Sequence, residues 1–316
     1  MKCNKIKRYF IIIGIALFIY LLIKLNIVDI FNQIKSANLY YISIALVFIC
    51  IYLIFQTLKW FVIAREQKVE MPFIDAFKIN MISSFYGLVT PGKVGSVTRA
   101  TYFGDYKGGT GKGFSNFVID KILDLSSLFF LAVGFGFLFY NNIKVLSTAF
   151  LYVFIAIFVL IVCVSIMLYK KELSRHLLRV IYRLIPERLK ERARLSFDSF
   201  YENIPGLGFL SLVFILNLAT WVITYAIFYF VGLSLGVNLS FTYYLAILPI
   251  STLVAQIPIT ISGLGIRELT MISLFGLFNV EAVKVFSMSL ITIVLSGVIP
   301  SIIAIFLTIK KDYKKK

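Results

Sequence analysis

The chain has 316 residues, of which 60% are hydrophobic and only 15% are charged, a composition that excludes an ordinary soluble domain and predicts an integral membrane protein. The formal net charge is +17, but basic residues beside long apolar runs are typical of cytoplasmic loops and lipid contacts, so no nucleic-acid partner is expected. The three cysteines lie far apart and the only histidine is His176, which excludes a disulfide framework and a metal-ligand cluster and leaves no expected cofactor.

Apolar runs of about 20 residues, the length that crosses a hydrocarbon core of about 30 Å, predict the membrane spans. The first run, Tyr9 to Ile23, follows basic residues but precedes no small-residue cleavage site, so it predicts an uncleaved span. The other runs are Leu39 to Ala64, Ser115 to Phe139, Ser147 to Tyr169, Leu207 to Val231 and Ala282 to Ile309. The sequence therefore predicts an all-α polytopic membrane helical bundle with six full spans.

Two further apolar segments, Phe73 to Tyr102 and Phe241 to Phe278, are interrupted by glycine and proline. We call residues 90–99 the first break and residues 258–268 the second break. Irregular backbone at membrane depth persists only where protein buries it or where it lines a watery cavity. Paired breaks in corresponding places therefore predict a transport site, whether each segment is a re-entrant hairpin or a broken span.

The positions of the basic residues predict the topology. If each interrupted segment returns to its own side, six crossings place the basic loops in the cytoplasm, namely Arg65, Lys68, Lys107, Lys112, the segment 170–205 and the tail from Lys310 to Lys316. Both termini are then cytoplasmic in a multi-pass protein of the cell membrane. The segment 170–205 has basic and apolar faces at helical spacing, which predicts an amphipathic connector at the inner membrane surface.

The predicted spans divide the single membrane domain, residues 1–316, into two structural halves. The first half covers residues 1–140 and the second covers residues 141–316 with the connector. Each half has two spans, an interrupted segment and a final span, and hence an odd number of crossings. The halves are therefore expected to form an inverted repeat, with the two breaks approached from opposite sides of the membrane.

The breaks also hold the candidate substrate-binding residues, which are Lys93, Arg99 and Arg267 with the glycines Gly92, Gly95, Gly263 and Gly265. Glycines allow close backbone approach, and backbone amides beside cations favour an anion. Inside a membrane the natural anion is a lipid phosphate. The alternative interpretation is that these cations only pair with acidic residues elsewhere in the fold.

Acidic residues near the breaks are candidate counter-ions or gating residues. Asp120 and Asp124 lie one helical turn apart on one face, with Lys121 between them, and Glu268 follows Arg267. These carboxylates could neutralise the cations of the breaks when no substrate is present. The alternative is that Asp120 and Asp124 are ordinary residues at the end of a span, close to lipid headgroups.

Three motifs resemble signatures of the lysylphosphatidylglycerol synthase transmembrane family, also called flippase-like membrane proteins. They are the residues from Pro91 to Arg99, from Asp120 to Asp124 and from Ser262 to Glu268. Family members often carry an acidic residue where Ser96 stands and an arginine where Lys93 stands, so this chain departs from the pattern at two positions. Because only a lysine-rich tail follows Ile309, the expectation is a stand-alone membrane domain without the aminoacyltransferase domain.

The resemblance implies a lipid flippase or transporter, not an enzyme, that moves an anionic, phosphate-bearing lipid between leaflets. Expected partners are membrane lipids and an anionic lipid headgroup, and a homodimer or a complex with an envelope enzyme fits the same sequence. Two alternatives stay open. One is a membrane-embedded transferase in which Asp120 and Asp124 bind a divalent cation, and the other is a non-transporting partner in envelope assembly.

Overall fold

A computed structural model describes residues 16–90, 93–106, 109–138, 155, 158, 159, 162, 198, 204–256, 260 and 262–312. Every regular element in these ranges is helical. In chain order the helices are α1 Ala16–Lys24, α2 Ile27–Lys35, α3 Leu39–Glu66, α4 Phe73–Leu88, a 3-10 helix Val94–Tyr106, α5 Gly109–Leu138, α6 Leu207–Ser234, α7 Phe241–Gln256, α8 Ile266–Gly276, α9 Ala282–Ile293, a π-helical turn Val294–Val298 and α10 Ile299–Asp312.

Three helices in the described ranges are long and apolar enough to cross a membrane, Leu39–Glu66, Leu207–Ser234 and Ala282–Ala304. These coincide with three of the predicted spans. Helix α5 is 30 residues long, but its first half carries charged residues, so its length and composition alone do not mark it as a span. The predicted span 147–169 and the connector 170–205 lie outside the described residues, apart from a few isolated positions.

Beyond the predicted span 9–23, the N-terminal segment continues into a second helix at a sharp bend. Only the end of the predicted span 9–23 is described, as α1, and α2 follows at an angle of 77°. Asn26 lies at the bend with a φ of 60°, and its side chain accepts a hydrogen bond from the backbone nitrogen of Val28 at 3.1 Å. An asparagine cap of this kind ends one helix and starts the next.

Helices α3 and α6 form the central pair, and they run in opposite directions. The backbone nitrogen of Asn38, before the start of α3, donates to the carbonyl oxygen of Ser234 at the end of α6, at 2.9 Å. Further along, the Nζ atom of Lys59 donates to Oδ1 of Asn217 at 3.1 Å. The contact nearer the start of α3 is the one nearer the end of α6, so the two helices are antiparallel.

The two interrupted segments pack in a reciprocal manner. Helices α4 and α7 each have 16 residues and end where the corresponding break begins. Helix α4, from the first half, packs against α10 of the second half, while α7, from the second half, packs against α5 of the first. Each interrupted segment therefore packs in part against a helix from the other half of the chain.

Close backbone packing explains why Gly95, the described glycine of the first break, is a glycine. The nitrogen of Gly95 donates to Oγ1 of Thr90 at 2.7 Å, which draws the 3-10 helix onto the end of α4. A Cβ atom at position 95 would overlap the carbonyl oxygen of Tyr86. Gly104, in the same 3-10 helix, has open space around the corresponding position.

We therefore predict that Gly95→Ala lowers the free energy of unfolding by about 1–3 kcal/mol, the usual cost of overpacking. The clash involves backbone atoms, which cannot rotate away. The measurement is the thermal unfolding of the purified protein in detergent. Gly104→Ala is the matched control and should change the melting temperature little, and equal melting temperatures for the two variants would contradict this packing.

Candidate functional site

The two breaks meet at one cavity inside the helix bundle. The backbone nitrogen of Ser262 in the second break donates to the carbonyl oxygen of Thr90 in the first break, at 3.3 Å. Beside this contact lies a cavity of about 390 Å³, which α3 to α8 and the π-helical turn line together. The structure thus brings together two segments that are more than 150 positions apart in the sequence.

Five cationic side chains line the cavity, Lys59, Lys93, Arg99, Lys121 and Arg267. Polar side chains from several helices share the walls with them, among them Gln56, Asn80, Thr224 and Thr252. Apolar and aromatic side chains complete the lining, including Leu53, Trp221, Phe228 and Met271. A space with both kinds of surface suits a molecule with a charged head and an apolar body.

An ion-pair network connects the first break to α3 and α5. The Nζ atom of Lys59 lies 2.8 Å from Oδ1 of Asp124 and 3.4 Å from Oδ1 of Asp120. Arg99 binds the other oxygen of Asp120 through Nη2 at 2.6 Å. Asp120 and Asp124 do share one face of α5, as their spacing predicts, and that face points at both cations.

Arg99 is therefore engaged inside the protein. Its side chain is 7% exposed, and its guanidinium group lies over the rings of Trp60 and Phe117, at 5.5 and 5.3 Å from their centroids. Such stacking and the bond to Asp120 hold the planar group in place. The sequence predicts Arg99 as a substrate-binding residue, and the structure shows it bound to the predicted counter-ion Asp120.

The second break contains a separate buried acid. Glu268 is fully buried, and its Oε2 accepts from the backbone nitrogen of Gly265 at 2.6 Å. Its Oε1 accepts from Nη2 of Arg267 at 2.8 Å and from Oγ of Ser289 at 2.7 Å. These bonds satisfy the carboxylate. Glu268 therefore caps the first turn of α8 and holds Arg267 in place.

Glycines in the second break permit its backbone path. Gly263 and Gly265 have φ values of 79° and 85°, in the left-handed region that favours glycine. A Cβ atom at Gly263 would also overlap the side chain of Ala255 on α7. Gly92, the other predicted glycine, lies outside the described residues.

Lys93 differs from the other cations of the cavity. Within the described part of the chain its ammonium group has no ion pair and no hydrogen bond, and its side chain is exposed. Lys121 is intermediate, since its Nζ donates to Oε1 of Gln256 at 2.8 Å but lies 3.9 Å from Asp124 and is 30% exposed. Of the predicted substrate-binding residues, Lys93 is the one that offers an uncompensated charge.

Sequence reasoning missed three residues that organise the site, Lys59, Asn217 and Gln256. Lys59 is a lone lysine in the apolar run of α3, and Asn217 interrupts the apolar run of α6 in the same way. An ionisable residue within a span is a signal of a buried partner or a cavity. That signal was present, but the partners, on α5 for Lys59 and Gln256 and on α3 for Asn217, could not be identified without the fold.

The acidic residues do not form a cluster suited to a metal ion. Among the described residues, no group of three or more histidine, cysteine or acidic side chains could hold one. The carboxylates of Asp120 and Asp124 face Lys59 and Arg99 instead.

Comparisons with known proteins identify the family to which the chain is similar. Residues 10–304 match the family model described as the lysylphosphatidylglycerol synthase TM region. A UPF0104 membrane protein of Pyrococcus horikoshii is 24% identical over 329 residues, covering 96% of this chain and 97% of the relative. A UPF0104 membrane protein of Methanothermobacter thermautotrophicus is 24% identical over 314 residues, covering 93% of this chain and 90% of the relative.

We predict that Lys59→Met lowers the free energy of unfolding by about 3–5 kcal/mol, because it leaves two buried carboxylates with insufficient compensation. The double variant Lys59→Met with Asp124→Asn should recover part of this loss, since it removes one of the stranded charges. Thermal unfolding in detergent measures both effects.

The control is an exposed ion pair of the same chemistry. Lys284 lies 2.9 Å from Glu281, whose side chain is 68% exposed, so Lys284→Met should cost less than about 1 kcal/mol. A similar loss of stability for the Lys59 and Lys284 variants would contradict the central role of the buried network.

Proposed function

The chain belongs to the family of the lysylphosphatidylglycerol synthase TM region, and on that premise we propose that it is a lipid flippase. In this proposal it moves an anionic, phosphate-bearing lipid between the leaflets of the cell membrane and performs no chemistry on it. Both termini lie in the cytoplasm, as the distribution of basic residues predicts. The family and the apolar helices identify a membrane protein, and the following observations support the transport role.

The meeting of the two breaks at a single cationic cavity carries the proposal. Non-helical backbone at membrane depth is tolerated where it lines a cavity, and transporters commonly place their substrate sites at such interruptions. Here Thr90 and Ser262 join the two breaks by a backbone hydrogen bond, directly beside the cavity. Lys93 from the first break and Arg267 from the second both line it.

The mixed lining of the cavity supports a lipid as the cargo. An anionic headgroup would contact Lys93, Lys121 and Arg267, while apolar walls such as Trp221 and Phe228 would accompany the first part of its chains. Phosphate groups are recognised by cationic side chains that bring several donors. A purely polar solute would make no favourable contact with the apolar part of this surface.

The arrangement of the helices supports a movement that exposes the cavity to each leaflet in turn. Helices α3 and α6, which occupy corresponding places in the two halves, are antiparallel, and this direction fits the inverted repeat that we infer from the sequence. The reciprocal packing of α4 on α10 and of α7 on α5 gives each half a surface on which the other can rock.

A reconstitution experiment tests the proposal. The purified protein in liposomes should move a fluorescently labelled phosphatidylglycerol or phosphatidic acid from one leaflet to the other faster than protein-free liposomes do, as followed by chemical quenching of the outer leaflet. Failure to move any lipid of an anionic panel above the protein-free rate would count against the flippase.

The variant Lys93→Gln tests the cavity itself, because it removes a cation that has no ion pair among the described residues. We expect the rate of lipid movement to fall by about tenfold, the effect of roughly 1.4 kcal/mol. Lys68→Gln is the matched control, since Lys68 is also an exposed lysine with a left-handed backbone, φ 59° against 58° for Lys93, and does not line the cavity. An unchanged rate in the Lys93 variant would remove this residue from the site.

A further inference from the structure

Resting on the proposed function, we propose that the cavity selects a headgroup that carries two negative charges, a phosphomonoester or a diphosphate, over a phosphodiester that carries one. Lys93, Lys121 and Arg267 hold this dianionic phosphate. The network of Lys59, Arg99 and the aspartates stays intact behind it. The positive charge of the breaks favours any anionic lipid, whereas three cations around one space favour a headgroup with two negative charges.

The charge balance of the cavity is the first support. Five cationic side chains line it, and three carboxylates among the described residues pair with them, Asp120, Asp124 and Glu268. Two positive charges therefore remain on side chains that line the cavity. A ligand with two negative charges neutralises them, whereas a phosphodiester leaves one uncompensated.

The three proposed contacts come from three different elements. Lys93 belongs to the first break, Lys121 to α5 and Arg267 to α8, directly after the glycines of the second break. All three line the same cavity. An anion bound in the cavity would give these three like charges a common partner of opposite charge.

The number of oxygen atoms on the ligand is the second support. A terminal phosphate presents three acceptor oxygens and carries a charge of about −1.5 to −2 near neutral pH. A phosphodiester has only two free oxygens and a single charge. Three separate cationic groups can each bind one oxygen of a terminal phosphate, whereas on a diester two of them would have to share one oxygen.

Free donors remain on each of the three cations. Lys93 uses none of its ammonium hydrogens within the described residues, and Lys121 donates one short hydrogen bond, to Gln256 at 2.8 Å. Arg267 donates to Glu268 and Ser289 through Nε and Nη2, so its Nη1 atom has no hydrogen-bond partner in the part of the chain described here. The protein orients these groups and leaves their outer donors unused.

The backbone at Lys93 is the third support. Its φ of 58° is uncommon for a residue other than glycine and costs free energy, so the surrounding structure must hold it. The nitrogen of Lys93 donates to the carbonyl oxygen of Thr90 at 3.2 Å. Its own carbonyl oxygen accepts from Oγ of Ser96 at 2.7 Å and from the nitrogen of Ser96 at 3.2 Å. The backbone is thus clamped on both sides while the charged end of the side chain stays free.

Binding measurements on the full chain in nanodiscs test the selection. The probes are phosphatidic acid, phosphatidylglycerol and phosphatidylcholine with identical acyl chains, and inorganic phosphate as the free ion. At pH 8 we expect phosphatidic acid to bind about tenfold more tightly than phosphatidylglycerol, with phosphatidylcholine weaker still. At pH 5.5 the preference should largely disappear, because the second proton of a phosphomonoester titrates near pH 6.

Lys93→Gln should bring the affinity for phosphatidic acid close to that for phosphatidylglycerol at pH 8. The matched control Lys68→Gln should keep the difference, because it also removes one exposed lysine and so controls for general attraction of the protein to anionic lipid. Retention of the full preference in the Lys93 variant would overturn the assignment of this residue.

The outcomes separate this inference from the flippase itself. Equal binding of phosphatidic acid and phosphatidylglycerol, with both lipids moved in liposomes, overturns the dianion selection and leaves the flippase standing. Tight binding of inorganic phosphate without binding of phosphatidic acid supports a dianion site and overturns a lipid as its ligand. Tight binding of phosphatidic acid that free phosphate does not displace supports both proposals.

Discussion

The cost of holding charge inside an apolar helix bundle is the constraint on which this structure depends. Lys59 lies within a span, and it is tolerated because Asp120 and Asp124 lie within 3.4 and 2.8 Å of its ammonium group. Asp120 also binds Arg99 and so holds the first break against α5. One buried network therefore fixes α3, α5 and the first break relative to one another, and the shape of the cavity follows from it.

The network also divides the cations into two groups. Lys59 and Arg99 are almost fully buried and paired with carboxylates, and these pairs connect α3, α5 and the first break. Lys93, Lys121 and Arg267 face the cavity with unused donors. In the proposed mechanism a phosphate binds to this second group only, so substrate binding does not require the buried ion pairs to break.

The two halves depend on each other through the interrupted segments. Short helices α4 and α7 each end at a break, and each packs against a helix of the opposite half, α10 and α5 respectively. The breaks themselves are joined through Thr90 and Ser262. A helix of 16 residues is too short to span the hydrocarbon core of a bilayer. These segments therefore acquire their stability from tertiary contacts. Any movement of one half then changes the environment of both breaks.

Much of this arrangement follows from local sequence. The apolar runs predicted α3, α6 and the last span, and the glycines with adjacent cations predicted both breaks. The spacing of Asp120 and Asp124 correctly placed both carboxylates on one helical face. These features depend on the period of a helix, the length of a span and the conformational freedom of glycine, and neighbouring residues determine all of them.

The sequence by itself thus determined a membrane bundle with two cationic breaks, and the tertiary structure decided which cations are available. Lys93 and Arg99 appear equivalent in the sequence, but Arg99 is paired with Asp120 while Lys93 lines the cavity without an ion pair among the described residues. Lys59 appeared to be part of an apolar span until its partners on α5 and α6 were known. The physical reason is that compensation of a charge depends on distances of a few ångströms between helices, and such distances exist only after the helices have packed.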